Sequence, residues 1–198
     1  MNNPVSTVIR AFIAIDLDPQ VMANIHRAIR ELKPLIPAIR WVPPENFHLT
    51  LKFLGDVDET KLDAIGTGVM GAVGPFQPLR ISAKGLGVFP DLRRPRILWV
   101  GMTGNSLTAL ASRVESALEP LGLAAEPRAF TPHLTIGRWR HYDRAPKTLG
   151  EELARWRDRE FGEFLISEVA LYQSVLKPAG AAYHKLKVVA LVGAQSDP

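Results

Sequence analysis

Apolar residues recur along the chain with two spacings, one typical of β-strands and the other of α-helices. Runs of alternating or continuous apolar residues predict strands at residues 8–17, 39–42, 47–54, 79–88 and 97–102, from residue 131 onward, and at residues 165–175 and 183–191. Spacings of three and four residues predict helices at residues 19–33, 58–73 and 105–122, and a short one at residues 151–157. The chain therefore alternates irregularly between strands and helices.

The predicted helices carry recognisable start and stop signals. Asp18 followed by Pro19 is an N-cap with proline at the first helical position, and the apolar residues after it form one stripe. Asp58 and Asn105 are the predicted N-caps of the second and third helices, and Gly122 ends the third. Capping chemistry therefore predicts these boundaries in addition to the spacing.

The order of the elements is not the regular β-α-β alternation of a parallel, doubly wound sheet. We therefore predict an α+β fold with antiparallel sheets. No G-x-G-x-x-G turn follows a predicted strand, and no G-x-x-x-x-G-K loop is present. Nucleoside-triphosphate hydrolysis and nicotinamide chemistry are therefore disfavoured.

The chain has 198 residues, of which 46% are hydrophobic and 22% charged, as in a globular protein with a substantial core. We expect residues 1–198 to form one domain with two small lobes. The lack of cysteine excludes disulfides and thiolate metal sites. Residues 1–7 are polar, and the apolar run after them is broken by Arg10 and ended by Asp16. This pattern predicts neither an export signal nor a membrane span. We therefore expect a cytoplasmic monomer, and the net charge of +4 permits an anionic substrate.

Two predicted strands carry matching tetrapeptides, one at residues 48–51 and the other at residues 133–136. Because side chains alternate between the faces of a strand, His48 and Thr50 point the same way, and so do His133 and Thr135. The leucine inside each pair points to the opposite, apolar face. One such pair is commonly an ordinary polar face. Two copies in matching surroundings predict an acid–base site, to which each motif contributes one imidazole and one hydroxyl.

Two histidines in different environments can divide the work of an acid and a base, because an imidazole with a pKa of about 6.5 gives and takes protons near neutral pH. Hydrolysis of a cyclic phosphodiester needs a base for the attacking water and an acid for the departing ribose oxygen, on opposite sides of the phosphorus. The hydroxyls of Thr50 and Thr135 can donate hydrogen bonds to the non-bridging oxygens.

Arg138 is the arginine that could add positive charge at the phosphate. Strict alternation places it on the face opposite to His133, so this role requires a bulge or a strand end, which Gly137 would allow. In the first motif strand, the same alternation puts Phe53 on the core face. It puts Lys52 on the face of the motif histidine, as a solvated side chain near the mouth of the site.

Two other chemistries fit the sequence less well. A catalytic zinc takes three protein ligands, and neither motif supplies a carboxylate or a second histidine at a useful spacing. A serine hydrolase would need a G-x-S-x-G elbow, which is missing. The loop with Arg93, Arg94 and Arg96 is either a solubilising loop or a phosphate contact, and the sequence leaves both interpretations open.

The paired motifs resemble those of the 2H phosphoesterases, which are named for two H-x-T-x motifs. Within that group, the chain resembles the bacterial and archaeal RNA 2′,3′-cyclic phosphodiesterases, formerly called 2′-5′ RNA ligases. The resemblance covers nearly the whole chain and rests on residues 10–16, 40–42, 45–55, 85–90 and 130–138, together with Ser174, Gly180 and Tyr183.

The resemblance implies two pseudo-symmetric lobes, helices on the outside, and the two motifs facing each other across a central cleft. It also implies a hydrolase that opens RNA 2′,3′-cyclic ends to a 2′-phosphomonoester without a metal or an organic cofactor. His48 would be the proton donor and His133 the proton acceptor, while Thr50, Thr135 and Arg138 would bind the substrate phosphate.

The natural substrate is left open, because relatives act on tRNA fragments, on cyclic nucleotides or on 2′-5′ linkages, the last including reversible ligation. A non-catalytic RNA-binding module is an alternative of a different class. Such a module predicts exposed, stacking aromatic residues on adjacent strands and has no need of paired H-x-T motifs.

Overall fold

The computed structural model describes residues 7–140, 144–178 and 180–193, in which nine strands form two sheets and four helices pack against them. The elements are β1 (Val8–Asp16), α1 (Pro19–Leu32), β2 (Arg40–Trp41), β3 (His48–Asp58), α2 (Leu62–Val73), β4 (Leu79–Phe89), β5 (Ile97–Thr103), α3 (Leu107–Leu118), β6 (His133–Arg138), α4 (Leu149–Arg155), β7 (Glu160–Ile166), β8 (Glu168–Lys177) and β9 (Gly180–Ala190). Short 3₁₀ helices lie at Pro44–Asn46, Glu59–Lys61 and Glu119–Leu121.

Both sheets are antiparallel throughout the described residues. The first has the strand order β3-β1-β8-β9, and the second has the order β2-β6-β5-β4-β7. Strands β3 and β6 also contact each other, so the two motif strands lie side by side where the sheets meet. The predicted α+β class with antiparallel sheets is confirmed. The first sheet takes strands from both ends of the chain, so cutting the chain at its middle would leave neither sheet complete.

One face of each sheet is buried against helices. Ile13 and Leu49 of the first sheet and Leu98 and Leu134 of the second are at most 1% exposed, and they belong to one continuous hydrophobic core. A separate small cluster, formed by Phe12, Ala14, Ala170 and Tyr172, covers the other face of the first sheet. The sheets therefore have a core face and an opposite face, which we call the cleft face because both motif histidines lie on it.

Helix α1 forms where its capping signal predicts. The Asp18 carboxylate accepts hydrogen bonds from the backbone N–H groups of Gln20 and Val21, at 2.7 and 3.2 Å. This satisfies donors that the first turn of a helix cannot pair internally. The predicted apolar stripe is buried, with Ile25 and Leu32 at most 1% exposed.

The start signals of the next two helices act differently from their predictions. Asp58 caps the 3₁₀ turn before α2, where it accepts from the N–H of Thr60 at 2.9 Å, and α2 itself begins at Leu62. Asn105 does not cap α3, because Ser106 lies between it and the helix. Ser106 enters α3 from a left-handed backbone conformation, with φ of 67°. The short fourth helix begins and ends two residues before its predicted position.

Most of strand β7 is missing from the sequence-based prediction, which has only two strands after the fourth helix. The first of them begins at Leu165, inside β7, and continues into β8 without the break between these strands. Glu160 lies opposite Lys84 and Gly162 lies opposite Ala83, so Phe161 is an extra residue in a bulge. Gly162 has a backbone φ of +124°, which residues other than glycine rarely adopt. The bulge interrupts the alternation by which a strand is recognised in a sequence.

No helix in the described ranges is long and apolar enough to cross a membrane. The prediction that the polar N-terminus carries no export signal concerns residues 1–7, of which residues 1–6 lie outside the described part. The predicted turn at residues 177–180 includes residue 179, which also lies outside it. The strands on either side of that turn, β8 and β9, pair along their length.

Candidate active site

The two motifs have the alternation that the sequence predicts. His48 and Thr50 on β3, and His133 and Thr135 on β6, are partly exposed, whereas the leucine inside each motif is buried. Each histidine and its threonine therefore share the cleft face, and the leucine joins the core.

Each motif is followed at once by a β-bulge. Opposite β3, Ala14 pairs with Thr50 and the next residue, Ile13, pairs with Lys52, so Leu51 is left without a partner. Opposite β6, the pairing moves from Thr135 to Gly137, so Ile136 is the extra residue. A bulge puts two consecutive residues on the same side of the strand and reverses the alternation beyond it.

The bulge after Thr135 moves Arg138 onto the cleft face. Arg138 is exposed, and its positive charge acts on both His48 and His133. The alternation in the sequence requires a bulge or a strand end if Arg138 is to lie on the face of His133. The structure has such a bulge, and its extra residue is Ile136. Gly137 has a different role, since a Cβ there would lie 2.4 Å from Cδ1 of Ile39 and the isoleucine side chain would have to move. Glycine lets β6 pack closely rather than bend.

The bulge after Thr50 overturns two predictions for the first motif strand. Phe53, predicted on the core face, is 63% exposed and lies opposite Phe12 on the cleft face. Lys52, predicted near the mouth of the site, is buried beneath the sheet, where its ammonium group forms an ion pair with Glu115 and donates to the carbonyl of Ala124 at 2.7 Å. Lys52 is therefore a structural residue, and Phe53 takes the position on β3 that Arg138 takes on β6.

The two imidazoles are held by the same hydrogen bond. Nδ1 of His48 lies 2.9 Å from the carbonyl oxygen of Asn46, and Nδ1 of His133 lies 2.7 Å from that of Thr131. A carbonyl oxygen only accepts, so Nδ1 carries the proton in each neutral ring. Nε2 is then the atom that can gain or lose a proton, and both rings present it in the same way.

Both histidines are harder to protonate than a histidine in water. Burial lowers the pKa of His48 to about 4, the hydrogen bond to Asn46 opposes this effect, and the charge of Arg138 adds to it. Burial likewise lowers the pKa of His133 below its ordinary value, and Arg138 again acts in the same direction. A buried cation loses hydration and a neighbouring cation repels it, so both rings are mainly neutral at pH 7 without a ligand.

Aromatic rings fix the planes of the two imidazoles. The centroid of His48 lies 4.7 Å from that of Phe12 and 5.0 Å from that of Tyr183, with the tyrosine edge-on. His133 is edge-on to Phe89, at 4.9 Å. Such packing leaves each ring little freedom to rotate, so the direction of Nε2 is fixed before any ligand binds.

A polar network behind His48 is not predicted from the motifs. Asp16 pairs with His48 across the strands, accepts a hydrogen bond from the hydroxyl of Tyr172 and forms an ion pair with Lys185. Its negative charge acts to raise the pKa of His48, against the larger effect of burial. The only sequence signal for Asp16 is its place in the resembling segment, residues 10–16.

A family model described as LigT like Phosphoesterase matches the chain twice, over residues 15–99 and 100–183. The chain belongs to the LigT-like phosphoesterase family. The starting residues of the two matches are separated by the same number of residues as His48 and His133. Each match therefore contains one copy of the motif at the same position. The family resemblance drawn from the motifs is confirmed, and so is the two-lobed fold that it implies.

Individual relatives cover almost the entire chain. The RNA 2′,3′-cyclic phosphodiesterase of Aquifex aeolicus is 38% identical over 179 residues, which are 89% of this chain and 94% of the relative. The Methanocaldococcus jannaschii protein of the same name is 35% identical over 178 residues, which are 90% and 98% of the two chains. The structure of E. coli LigT complexed with 3′-AMP has a TM-score of 0.75 at 27% identity and covers 93% of this chain and 99% of that one.

Within the described ranges, no group of three or more histidine, cysteine, aspartate or glutamate side chains is placed to hold a metal ion. Metal independence in this member of the LigT-like family stays a prediction, which a chelator can test.

The position of Arg138 in this LigT-like phosphoesterase can be tested through the two imidazoles. Replacing Arg138 by glutamine is expected to raise the pKa of both His48 and His133, because a repelling charge is removed from each. Titration of the histidine ring signals by NMR measures both values. Arg113→Gln, on the exposed side of α3, is the control for the same loss of charge. Unchanged values in Arg138→Gln would show that the guanidinium does not reach the imidazoles.

Proposed function

We propose that this chain is a hydrolase that opens the 2′,3′-cyclic phosphate at the end of an RNA and leaves a 2′-phosphomonoester. The observation that carries the proposal is the pair of imidazoles on adjoining strands, each with Nδ1 bound to a carbonyl and Nε2 left for a substrate. The names of the curated relatives support the same substrate class.

In the proposed reaction, Nε2 of His133 accepts a proton from a water molecule while the water oxygen attacks phosphorus. The bond between phosphorus and the ribose O3′ breaks, and the Nε2 proton of His48 passes to that oxygen. The products are a 2′-phosphomonoester and a free 3′-hydroxyl. The step leaves His133 protonated and His48 neutral, and exchange with solvent restores the starting state.

Thr50, Thr135 and Arg138 are the proposed ligands of the phosphate. The two hydroxyls lie one on each motif strand, on the same face as the histidine of their motif. The guanidinium lies within electrostatic reach of both imidazoles, which supports a role for its charge at a phosphate bound by both rings. Donors fixed in this way stabilise charge that develops on the non-bridging oxygens without having to reorganise.

The exposed ring of Phe53 is the proposed platform for the terminal nucleobase. It lies on the cleft face beside Phe12, at 6.2 Å between ring centroids, and on the same strand as His48. An aromatic side chain stacks any base, because every base has a π-face. This arrangement supports recognition of a nucleotide without a strong preference for its sequence.

The assignment of His48 as the acid has to be reconciled with its lowered pKa. In the ligand-free protein, a residue with a pKa of about 4 is almost always neutral at pH 7 and has no proton to give. A bound phosphodiester carries a negative charge that favours the imidazolium form. We propose that binding of the substrate raises the pKa of His48, so that this histidine is protonated when the reaction begins.

These pKa values predict the pH dependence of the reaction. Activity needs one protonated and one neutral histidine, and kcat/KM reports the pKa values of the free enzyme. Above pH 6.5 both rings are neutral and the rate falls, whereas below about pH 4 both are protonated and it falls again. A bell-shaped kcat/KM profile with its maximum between these limits is expected, and kcat should peak at higher pH. A kcat/KM maximum above pH 7 would contradict the pKa values of the empty site.

The proposed function is tested by the identity of the product. Hydrolysis of 2′,3′-cyclic AMP in ¹⁸O-labelled water should give 2′-AMP with one labelled oxygen on phosphorus, and ³¹P NMR distinguishes this product from 3′-AMP. Formation of 3′-AMP would show that O2′ is the leaving group and would overturn the proposed orientation. Absence of both products would overturn the function itself.

We also propose that the protein acts as a monomer in the cytoplasm. Both motifs come from one chain and meet where its own two sheets join, so the site is complete without a second copy. The lack of cysteine in the sequence fits a reducing compartment.

A further inference from the structure

A pocket lies at the end of the β4–β5 hairpin. The loop after β4 and the segment that leads into α4 enclose an open pocket of about 700 Å³. Five cationic side chains line it, and no described lining residue is acidic. We call it the basic pocket, and its cations are Arg93, Arg94, Arg96, Arg144 and Lys147.

The loop that carries three of these arginines is held in a defined shape. The Asp91 carboxylate accepts hydrogen bonds from the backbone N–H groups of Arg93 and Arg94, at 2.7 and 3.0 Å. The guanidinium of Arg96 donates to the carbonyl of Arg140 at 3.1 Å. Asp91 therefore shapes the turn with its carboxylate, while the side chains of Arg93 and Arg94 remain exposed.

The cations of the basic pocket form no salt bridge with the described acidic side chains. In residues 7–140, 144–178 and 180–193, none of the five cations forms a salt bridge with an aspartate or glutamate. Positive groups gathered around one concave surface focus a field that attracts a polyanion. The five positive charges at this pocket exceed the net charge of the whole chain, which is +4.

The basic pocket adjoins the catalytic cleft through Arg96. The N–H of Arg96 donates to the carbonyl of Phe89 at 2.7 Å, and the ring of Phe89 packs edge-on against His133. The next residue, Ile97, pairs with Arg138 across the sheet. The pocket therefore begins one residue before Ile97, the strand partner of Arg138.

We propose that the basic pocket binds the sugar–phosphate backbone of an RNA strand whose cyclic end occupies the cleft. This inference rests on the proposed function and adds that the RNA chain next to the cyclic end contributes to binding, which a free cyclic mononucleotide cannot do. The described lining residues include no aromatic side chain, so the pocket offers charge for phosphates without a surface for stacking bases. Recognition at this site is therefore independent of base sequence.

The test compares two substrates in two pocket variants. One variant is Arg93→Gln with Arg94→Gln, and the other is Arg144→Gln with Lys147→Gln. The substrates are 2′,3′-cyclic AMP and a short oligoribonucleotide ending in a 2′,3′-cyclic phosphate. Each variant is expected to lower kcat/KM for the oligonucleotide about tenfold or more and to leave that for cyclic AMP unchanged. The salt dependence for the oligonucleotide should weaken by about 0.7 in log–log slope for each phosphate that the variant no longer binds.

A charge-matched control separates a local site from the overall field. Arg30→Gln with Arg113→Gln removes the same charge from exposed positions on α1 and α3, and it is expected to leave both substrates unaffected. An equal loss in this control, an equal loss for cyclic AMP in the pocket variants, or no loss for the oligonucleotide would each overturn the proposal.

Binding measurements separate this inference from the proposed function. Fluorescence anisotropy of a labelled oligonucleotide that ends in a 2′-phosphate needs no turnover. If neither cyclic substrate is hydrolysed but the pocket variants still weaken this binding about tenfold, the function fails and the backbone site stands. If the cyclic substrates are hydrolysed and neither pocket variant changes binding or rate, the function stands and the backbone site fails.

Discussion

Replacing His48 or His133 by alanine is expected to lower kcat for a cyclic nucleotide by roughly 10²- to 10⁴-fold, the usual effect of removing one general acid or base. Each imidazole lies on the cleft face with its Nε2 left for the substrate, so the change removes a proton-transfer group and leaves the hydrophobic core in place. Steady-state kinetics with 2′,3′-cyclic AMP measure the loss.

His26→Ala is the matched control for these variants, because His26 is exposed on α1 and lies outside the cleft. It should have wild-type kinetics. Circular dichroism should show the same secondary structure in all three variants, since neither motif histidine belongs to the core. A motif variant that is folded and retains nearly full activity would remove that histidine from the mechanism.

The roles of the two histidines are expected to separate when the leaving group changes. Ribose leaves as a strongly basic alkoxide, whereas a phenol with a pKa of about 10 leaves without help from an acid. With catechol cyclic phosphate as the substrate, the loss caused by His48→Ala should therefore shrink to less than about tenfold. The loss caused by His133→Ala should persist, because water still has to be activated.

This comparison also decides between the proposed roles and the opposite ones. The pKa of His48, lowered to about 4, would suit a base better than an acid if the empty site were the reacting state. If the activated substrate rescues His133→Ala instead, then His133 is the acid and His48 the base. Rescue of neither variant would show that protonation of the leaving group is not the step that either histidine assists.

The sequence predicts the parts of the fold in which local chemistry and tertiary structure agree. Asp18 and Pro19 predict the start of α1 because a capping carboxylate acts within a few residues of its own position. The alternation in the two motifs predicts which side chains share a face because the motif strands are regular up to their threonines.

The failures begin at the bulges. Phe53 and Lys52 lie on the faces opposite to those predicted, because Leu51 is an extra residue in a bulge. That bulge forms only when β3 pairs with β1. Most of strand β7 is missed for the same reason, since Phe161 is bulged against β4. A bulge is a property of two paired strands, and the sequence of one strand does not specify it.

The sequence also does not show which distant residues meet. Asp16, Tyr172 and Lys185 come together only because β1 lies beside β8 and β8 beside β9. The arginines at residues 93–96 are visible in the sequence, but their meeting with Arg144 and Lys147 depends on the tertiary fold. The sequence therefore predicts the paired motifs, and the structure adds the groups that surround them.

We propose that His48 and His133 hydrolyse the cyclic phosphate without a metal ion. The most direct test is the rate of 2′,3′-cyclic AMP hydrolysis by the wild-type protein, before and after treatment with excess EDTA, with His48→Ala measured in parallel. We expect an unchanged rate of 2′-AMP formation in the wild type and a rate near background in the variant. A wild-type rate that falls with EDTA and returns with zinc or manganese would contradict this proposal, and so would tight RNA binding without turnover.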